Sequence, residues 1–137
     1  MKTEYIIDKL KTGDVRAVAR LLTLIENEED SAETILKEIW KFTGNSYIIG
    51  ITGPPGVGKS TIVDLLAKMA LDKGHKVGIL AVDPTSPFSG GAVLGDRLRM
   101  NSAQQSGIFI RSVASRGHLG GLAATTRFMI NAIEMLG

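Results

Sequence analysis

The sequence predicts an α/β fold with a parallel sheet behind a helical N-terminal segment, and three observations carry that expectation. From residue 46 onward, short β-rich apolar runs alternate with amphipathic helical patterns, the order that right-handed crossovers turn into a parallel sheet. A glycine- and proline-rich loop joins the first of those runs to the first of those helices. Before residue 46 the apolar spacing is helical throughout.

Taken in order, residues 1–45 read as helices. Val15, Val18, Leu21, Leu22 and Ile25 recur at helical spacing behind a capping residue at Asp14, and Ile35, Leu36, Ile39 and Trp40 repeat the stripe behind Ser31. The polar run Glu26 to Asp30 separates the two as a turn. Tyr47 to Thr52 is a short apolar, β-branched run that stops at Gly53-Pro54-Pro55, which predicts a buried strand entering a loop. A helix follows from Lys59 to Lys73, with Gly74 where a C-terminal cap belongs. Val77 to Val82 predicts a second buried strand ending at Asp83. Pro84 to Gly91 has loop composition, Ala92 to Gln105 suits a helix, Ile108 to Val113 a third strand, and Leu122 to Leu136 a final helix.

Composition narrows the function classes. The 137 residues are 44% hydrophobic and 22% charged, ordinary for a globular chain with one modest core. The net charge of +2 is spread among 14 acids without basic runs or interleaved aromatics, so no nucleic-acid surface is expected. With no cysteine there is no disulfide framework or thiolate metal site. The N-terminus MKTEYIIDKL has no apolar signal region, and no apolar run reaches the length of a membrane span. A cytoplasmic protein without membrane contact is the expectation.

The chemistry is concentrated in Gly53-Pro54-Pro55-Gly56-Val57-Gly58-Lys59-Ser60-Thr61. It satisfies G-x-x-x-x-G-K-[ST] at every defined position and lies between a predicted strand and a predicted helix. That context lets backbone amides and the helix N-terminus converge on phosphate oxygens. Gly56 and Gly58 let the backbone approach phosphate, Lys59 sets a point charge near the β and γ groups, and Ser60 offers a hydroxyl to Mg²⁺. A glycine turn that binds nothing has no reason to place Lys and Ser after Gly58. The dinucleotide fingerprint G-x-G-x-x-G fails at Thr61, where its third glycine should stand.

Beyond the loop, Asp83 ends a strand at the sheet edge where ligands bind, which favours a role at the metal, although Asp-Pro is also ordinary turn chemistry. Asp96, in Gly95-Asp96-Arg97, reads equally well as a solvated acid at a helix start. Arg97, Arg99 and Arg116 could meet phosphate or lie on the surface, and His75 and His118 lack metal-ligand spacing.

Three stretches, GPPGVGKST, AVDPTSPFSGGAVLGDRLRM and FIRSVASRGHLGGLA, resemble the methylmalonyl-CoA mutase-associated GTPases, also known as ArgK-type or lysine/arginine/ornithine transport-system kinases. The resemblance runs from about Ser46 to Gly137, and the second and third stretches are its specific part. It implies a P-loop GTPase of the signal-recognition and metal-insertion class, a three-layer parallel sheet with an N-terminal helical extension over 1–45 and the nucleotide domain from 46 to 137. It further implies a cytoplasmic protein, homodimeric at full length, that binds GTP or GDP with Mg²⁺, hydrolyses GTP to GDP and phosphate, and acts as a chaperone for an adenosylcobalamin-dependent acyl-CoA mutase. By position, Lys59, Asp83 and Asp96 would be catalytic and Ser60, Asp83 and Asp96 would hold the metal, with Pro84 to Gly95 as a nucleotide-sensing switch.

Two further readings stand beside it: an ATP-using kinase of an amino-acid transport system, and a truncated binding module without turnover. The family continues beyond the last helix into an acidic switch strand and an N-K-x-D guanine reader, neither of which occurs in these residues. The missing strand would lie between Tyr47–Thr52 and Val77–Val82. A truncated chain is therefore expected, binding phosphate weakly, discriminating poorly between GTP and ATP, and self-associating through unpaired strands.

Overall fold

The computed structural model describes residues 2–54, 56–83, 107–114 and 124–137. Along the chain these form α1 (Thr3–Lys11), α2 (Val15–Glu26), α3 (Asp30–Ile39), a 3-10 turn (Trp40–Phe42), α4 (Lys59–Asp72), β1 (Gly78–Asp83), β2 (Phe109–Ala114) and α5 (Ala124–Glu134). The expected helix over 92–105 and the loop over 84–91 lie outside the described residues. Two compact units emerge, one of Met1–Tyr47 with His118–Gly137 and one of Ile48–Gly117.

The first unit is helical, and its turns are fixed locally. At the end of α1 the Asp14 N–H donates to the Lys9 carbonyl and the Gly13 N–H to that of Leu10, with Gly13 at φ +72°. This paired closure satisfies carbonyls that a helix end otherwise leaves open. Asp14 then caps α2, its carboxylate accepting from the Ala17 N–H at 2.9 Å, as its position ahead of the apolar stripe predicts. The end of α2 closes the same way, Glu29 N–H to Leu24 carbonyl and Glu28 N–H to Ile25 carbonyl. Here the left-handed position falls on Glu28, at φ +54°, where a side chain crowds its own carbonyl. Glu28→Gly should therefore raise the stability of this unit by up to about 1 kcal/mol. A rise in chemical denaturation midpoint without a change in slope would show it.

Ile6, Leu10, Val18, Leu21, Leu22, Ile35 and Ile39 fill the core between α1, α2 and α3. The helix α5 adds Met129 and Ala132 and packs against α2 and α3. The Glu134 carboxylate near the end of α5 accepts from the Gly44 N–H and the Ser46 hydroxyl, anchoring the segment after the 3-10 turn. Three residues of the predicted stripes lie outside the core: Leu36 is half-buried, Val15 is 55% exposed and Trp40 57%. Val15 is the first residue of α2 and Trp40 begins the 3-10 turn, so neither has a helical turn on both sides to hold it against a neighbour; Ala17 and Leu24 are buried instead. On the surface, Lys37 pairs with Glu33 at 2.7 Å. That hydrogen bond, then the Lys37 charge, holds the Glu33 carboxyl below its ordinary value. The slight support this exposed pair gives is thus present at neutral pH and fades as pH falls through the lowered value.

The second unit is built on β1 and β2, paired in parallel from Gly78↔Phe109 to Asp83↔Ala114. One face of this pair carries Val77, Ile79, Ile108 and Ile110, and α4 covers it with Val63, Ala67 and Leu71. Both are strands that the sequence predicts, and each begins and ends one residue later than its apolar run suggests. The helix ends as predicted at Gly74, φ +81°, with the His75 N–H on the Ala70 carbonyl and the Gly74 N–H on that of Leu71.

The predicted strand at Tyr47–Thr52 is not a strand. Among the described residues nothing pairs with it, and its side chains are exposed, Tyr47 at 91% and Ile48 at 61%. The apolar pattern is that of a strand, but a strand exists only where a neighbour supplies the other half of each ladder hydrogen bond. The described strand β1 takes β2 as its partner instead.

Candidate functional site

The loop 53–58 and the first turn of α4 form the candidate site, and the local backbone shows why these residues are needed. Gly56 and Gly58 sit at φ +78° and +93°. Among the described residues, a Cβ at either position would meet no atom within 4 Å. Glycine is thus required here by the left-handed backbone, and no described residue crowds the space beside it. Gly53 differs: a Cβ there would stand 3.4 Å from Val57 Cγ2 and 3.6 Å from Lys59 Cδ, ordinary van der Waals contact, which places the Lys59 stem directly against the start of the loop.

Gly58 occupies the N-cap position of α4 without a side-chain hydrogen bond to the helix, and the first turn holds no acid. The Ile62 N–H closes onto the Gly58 carbonyl at 3.1 Å. The amides of Lys59, Ser60 and Thr61 precede that first helical bond and have no intrahelical carbonyl. Their partial positive charge adds to the helix dipole and to the Lys59 ammonium. An arrangement of this kind attracts anions with several oxygens.

The Lys59 ammonium turns back and donates to the Gly53 carbonyl, holding the two ends of the loop together. Ser60 is half-buried and its hydroxyl makes no hydrogen bond among the described residues. Thr61 is exposed on the helix, as are Pro54, Gly56, Val57 and Gly58 on the loop. Asp83 is the last residue of β1, in register with Ala114 at the C-terminal edge of β2. The short link 73–77 returns α4 antiparallel to β1. A helix of about 21 Å then spans a strand of about 20 Å, which brings the α4 N-terminus to the strand end that Asp83 occupies. Pro55, Asp96, Arg97, Arg99, Arg116 and His118 lie outside the described residues.

A residue outside the motif also bears on the site. Asp64, one turn after Ser60 on α4, pairs through Oδ2 with Lys68 at 3.1 Å, while its Oδ1 is buried without a hydrogen-bond partner among the described residues. In the sequence, its one signal is an acid four residues after the motif serine. Among the described residues no group of three His, Cys, Asp or Glu side chains is arranged to hold a metal, and no helix is long and apolar enough to cross a membrane.

Comparison with known proteins adds the family. The family model for the methylmalonyl-CoA mutase-associated GTPase MeaB matches residues 18–137. A protein of Pyrococcus abyssi, provisionally named a GTPase, is 54% identical over 98% of this chain and 42% of its own length. The GTPase ArgK of Escherichia coli is 38% identical over 96% of this chain and 41% of its own. A fused isobutyryl-CoA mutase of Geobacillus kaustophilus is 37% identical over 96% of this chain, which corresponds to 13% of that longer protein. The chain spans about two fifths of the length of the first two relatives.

Proposed function

The chain belongs to the methylmalonyl-CoA mutase-associated GTPase family, and on that premise we propose that it supplies the phosphate-binding part of a GTP-hydrolysing switch. The observation that carries this reading is the start of α4: an N-terminus that no side chain caps among the described residues, without an acid in its first turn, behind a left-handed glycine and led by Lys59. The chain's α/β architecture, a parallel strand pair covered by α4, agrees with a P-loop nucleotide domain of the signal-recognition and metal-insertion class.

In this reading the amides at the start of α4 bind the β- and γ-phosphate oxygens of GTP. Lys59 leaves the Gly53 carbonyl and places its ammonium between the β- and γ-phosphates, where it meets the negative charge that passes to the leaving β-phosphate oxygen as its bond to the transferring phosphorus weakens. Ser60, Asp83 and Asp96 would hold Mg²⁺. A hydroxyl that makes no hydrogen bond among the described residues is able to meet a hard cation of this kind, and the half-buried Ser60 is such a hydroxyl. When bound, magnesium neutralises charge on the β- and γ-phosphates. Guanine preference comes to this chain from the family, since none of its residues forms a guanine-reading motif.

The partner proposed is a cobalamin-dependent acyl-CoA mutase, with this protein acting as its chaperone in the cytoplasm and as a homodimer. Support comes from the family's description and from the relative in which a similar stretch is part of a fused mutase. The test is calorimetry with GDP, GTP and ATP in Mg²⁺, followed by phosphate-release assays with GTP and ATP side by side. Guanine-nucleotide binding supports the reading; turnover that favours ATP replaces it with a kinase.

Asp83→Asn separates a metal role from turn capping. An acid near phosphate repels the ligand unless a cation stands between them, so the Asn variant should lose at least about tenfold in hydrolysis rate, the scale of losing a group that tunes a bound metal. Its GDP affinity should stay within about twofold of the parent. Normal hydrolysis by Asp83→Asn at limiting Mg²⁺ would reduce the carboxylate to a turn cap.

A further inference from the structure

Resting on the reading of the α4 N-terminus as the phosphate site, we propose that Asp64 is a positioning residue whose Oδ1 accepts the Ser60 hydroxyl hydrogen and turns the hydroxyl lone pairs toward the divalent cation.

The argument begins with helix geometry. Ser60 and Asp64 are four residues apart within α4, hence on one face and in reach of each other. Side chains on an α-helix lean toward its N-terminus, so the Asp64 carboxylate lies back over the turn that carries Ser60. The two groups have complementary needs. Asp64 Oδ1 is a buried acceptor without a donor among the described residues, and the Ser60 hydroxyl makes no hydrogen bond there either.

Chemistry supplies the direction. A hydroxyl has two lone pairs and one hydrogen, and a cation can use only the former. Once a lone pair is given to a dication, the O–H is polarised and becomes a stronger donor, for which a carboxylate is the best acceptor. A free carboxylate beside phosphates would repel them. Lys68, 3.1 Å from Oδ2, balances that charge on the side away from Ser60. The ion pair and the open oxygen thus have separate tasks: Lys68 neutralises, and Oδ1 orients.

A competing donor stands on the sheet face that α4 covers. Ser112 follows Ile108 and Ile110 on the β2 face that α4 covers, and its Oγ is also buried without a partner among the described residues. An Asp64–Ser112 bond would make the carboxylate a helix-to-sheet tie with no bearing on the cation.

The experiment is calorimetric titration of GDP into the parent and its variants, with Mg²⁺ and with excess EDTA, read as the ratio of the two dissociation constants. Asp64→Ala should reduce that ratio about tenfold, the usual loss when the partner of a metal ligand is removed. Asp64→Asn, which keeps an acceptor oxygen, should lose no more than about threefold, and the EDTA affinity of each should stay within about twofold of the parent. Ser60→Ala should show the same loss, and adding Asp64→Ala to it should change the ratio no further. The proposal is overturned if Asp64→Ala weakens GDP equally with and without Mg²⁺. It is also overturned if Lys68→Met or Ser112→Ala reproduces the Asp64→Ala loss. A parent that binds GDP without any Mg²⁺ effect overturns this inference alone, whereas a parent that binds no nucleotide overturns the phosphate site and this inference together.

Discussion

Lys59→Ala is expected to weaken GTP affinity by about 2–4 kcal/mol, the scale for truncating one member of a close charge pair. The size follows from what Lys59 does in the structure. It is the first residue of α4, beside three amides that have no intrahelical carbonyl, and it is the one charged side chain in the loop and first turn. Without phosphate its ammonium rests on the Gly53 carbonyl, a neutral acceptor that a phosphate oxygen displaces to advantage. Losing the Gly53 contact itself should cost about 1.5–3 kcal/mol of stability, the range for a hydrogen bond from a charged donor, and circular dichroism that matches the parent establishes that the variant is folded. Isothermal titration in Mg²⁺ gives the affinity. Unchanged binding would mean that the amides alone hold the phosphates and that the lysine serves only to close the loop.

Leu21→Ala should remove about 2–5 kcal/mol from the helical unit, because truncating a buried leucine loses transfer free energy and leaves a cavity. Leu21 is fully buried in α2, among residues of α1 and α3 that are equally enclosed. Val15→Ala, on the same helix and the same predicted stripe, should change stability by less than about 0.5 kcal/mol, since Val15 faces solvent. Urea denaturation followed by helical circular dichroism distinguishes the two. Equal losses would show that α2 is held by propensity along its length and not by packing at Leu21.

Much of the candidate site is legible in the amino-acid order alone. The succession Gly56, Gly58, Lys59, Ser60 specifies a left-handed turn, a helix start and a charge, and each depends on neighbours within a few residues. Asp14 and Gly74 are legible for the same reason: a cap and a left-handed closure are local hydrogen-bond problems with few solutions. The role of Asp64 is hidden in the sequence because an acid followed by Lys at i+4 on a helix is ordinary surface chemistry. Only burial of Oδ1 shows that one oxygen remains unanswered.

By itself the sequence determined the left-handed glycine loop before α4, the bounds of α4, the periodic helices before residue 45 and the family. All of these follow from backbone conformations and side-chain spacings that act over one or two turns of chain. Tertiary structure decided which apolar residues are buried and which strands pair. It exposed Val15 and Trp40, enclosed Ala17 and Leu24, packed α5 onto α2, joined β1 to β2 and, among the described residues, left Tyr47–Thr52 without a ladder. A strand's hydrogen bonds and a side chain's burial are supplied by residues far away in sequence. The apolar pattern of a segment states what it can pair with or bury against, and the packing partner decides whether it does.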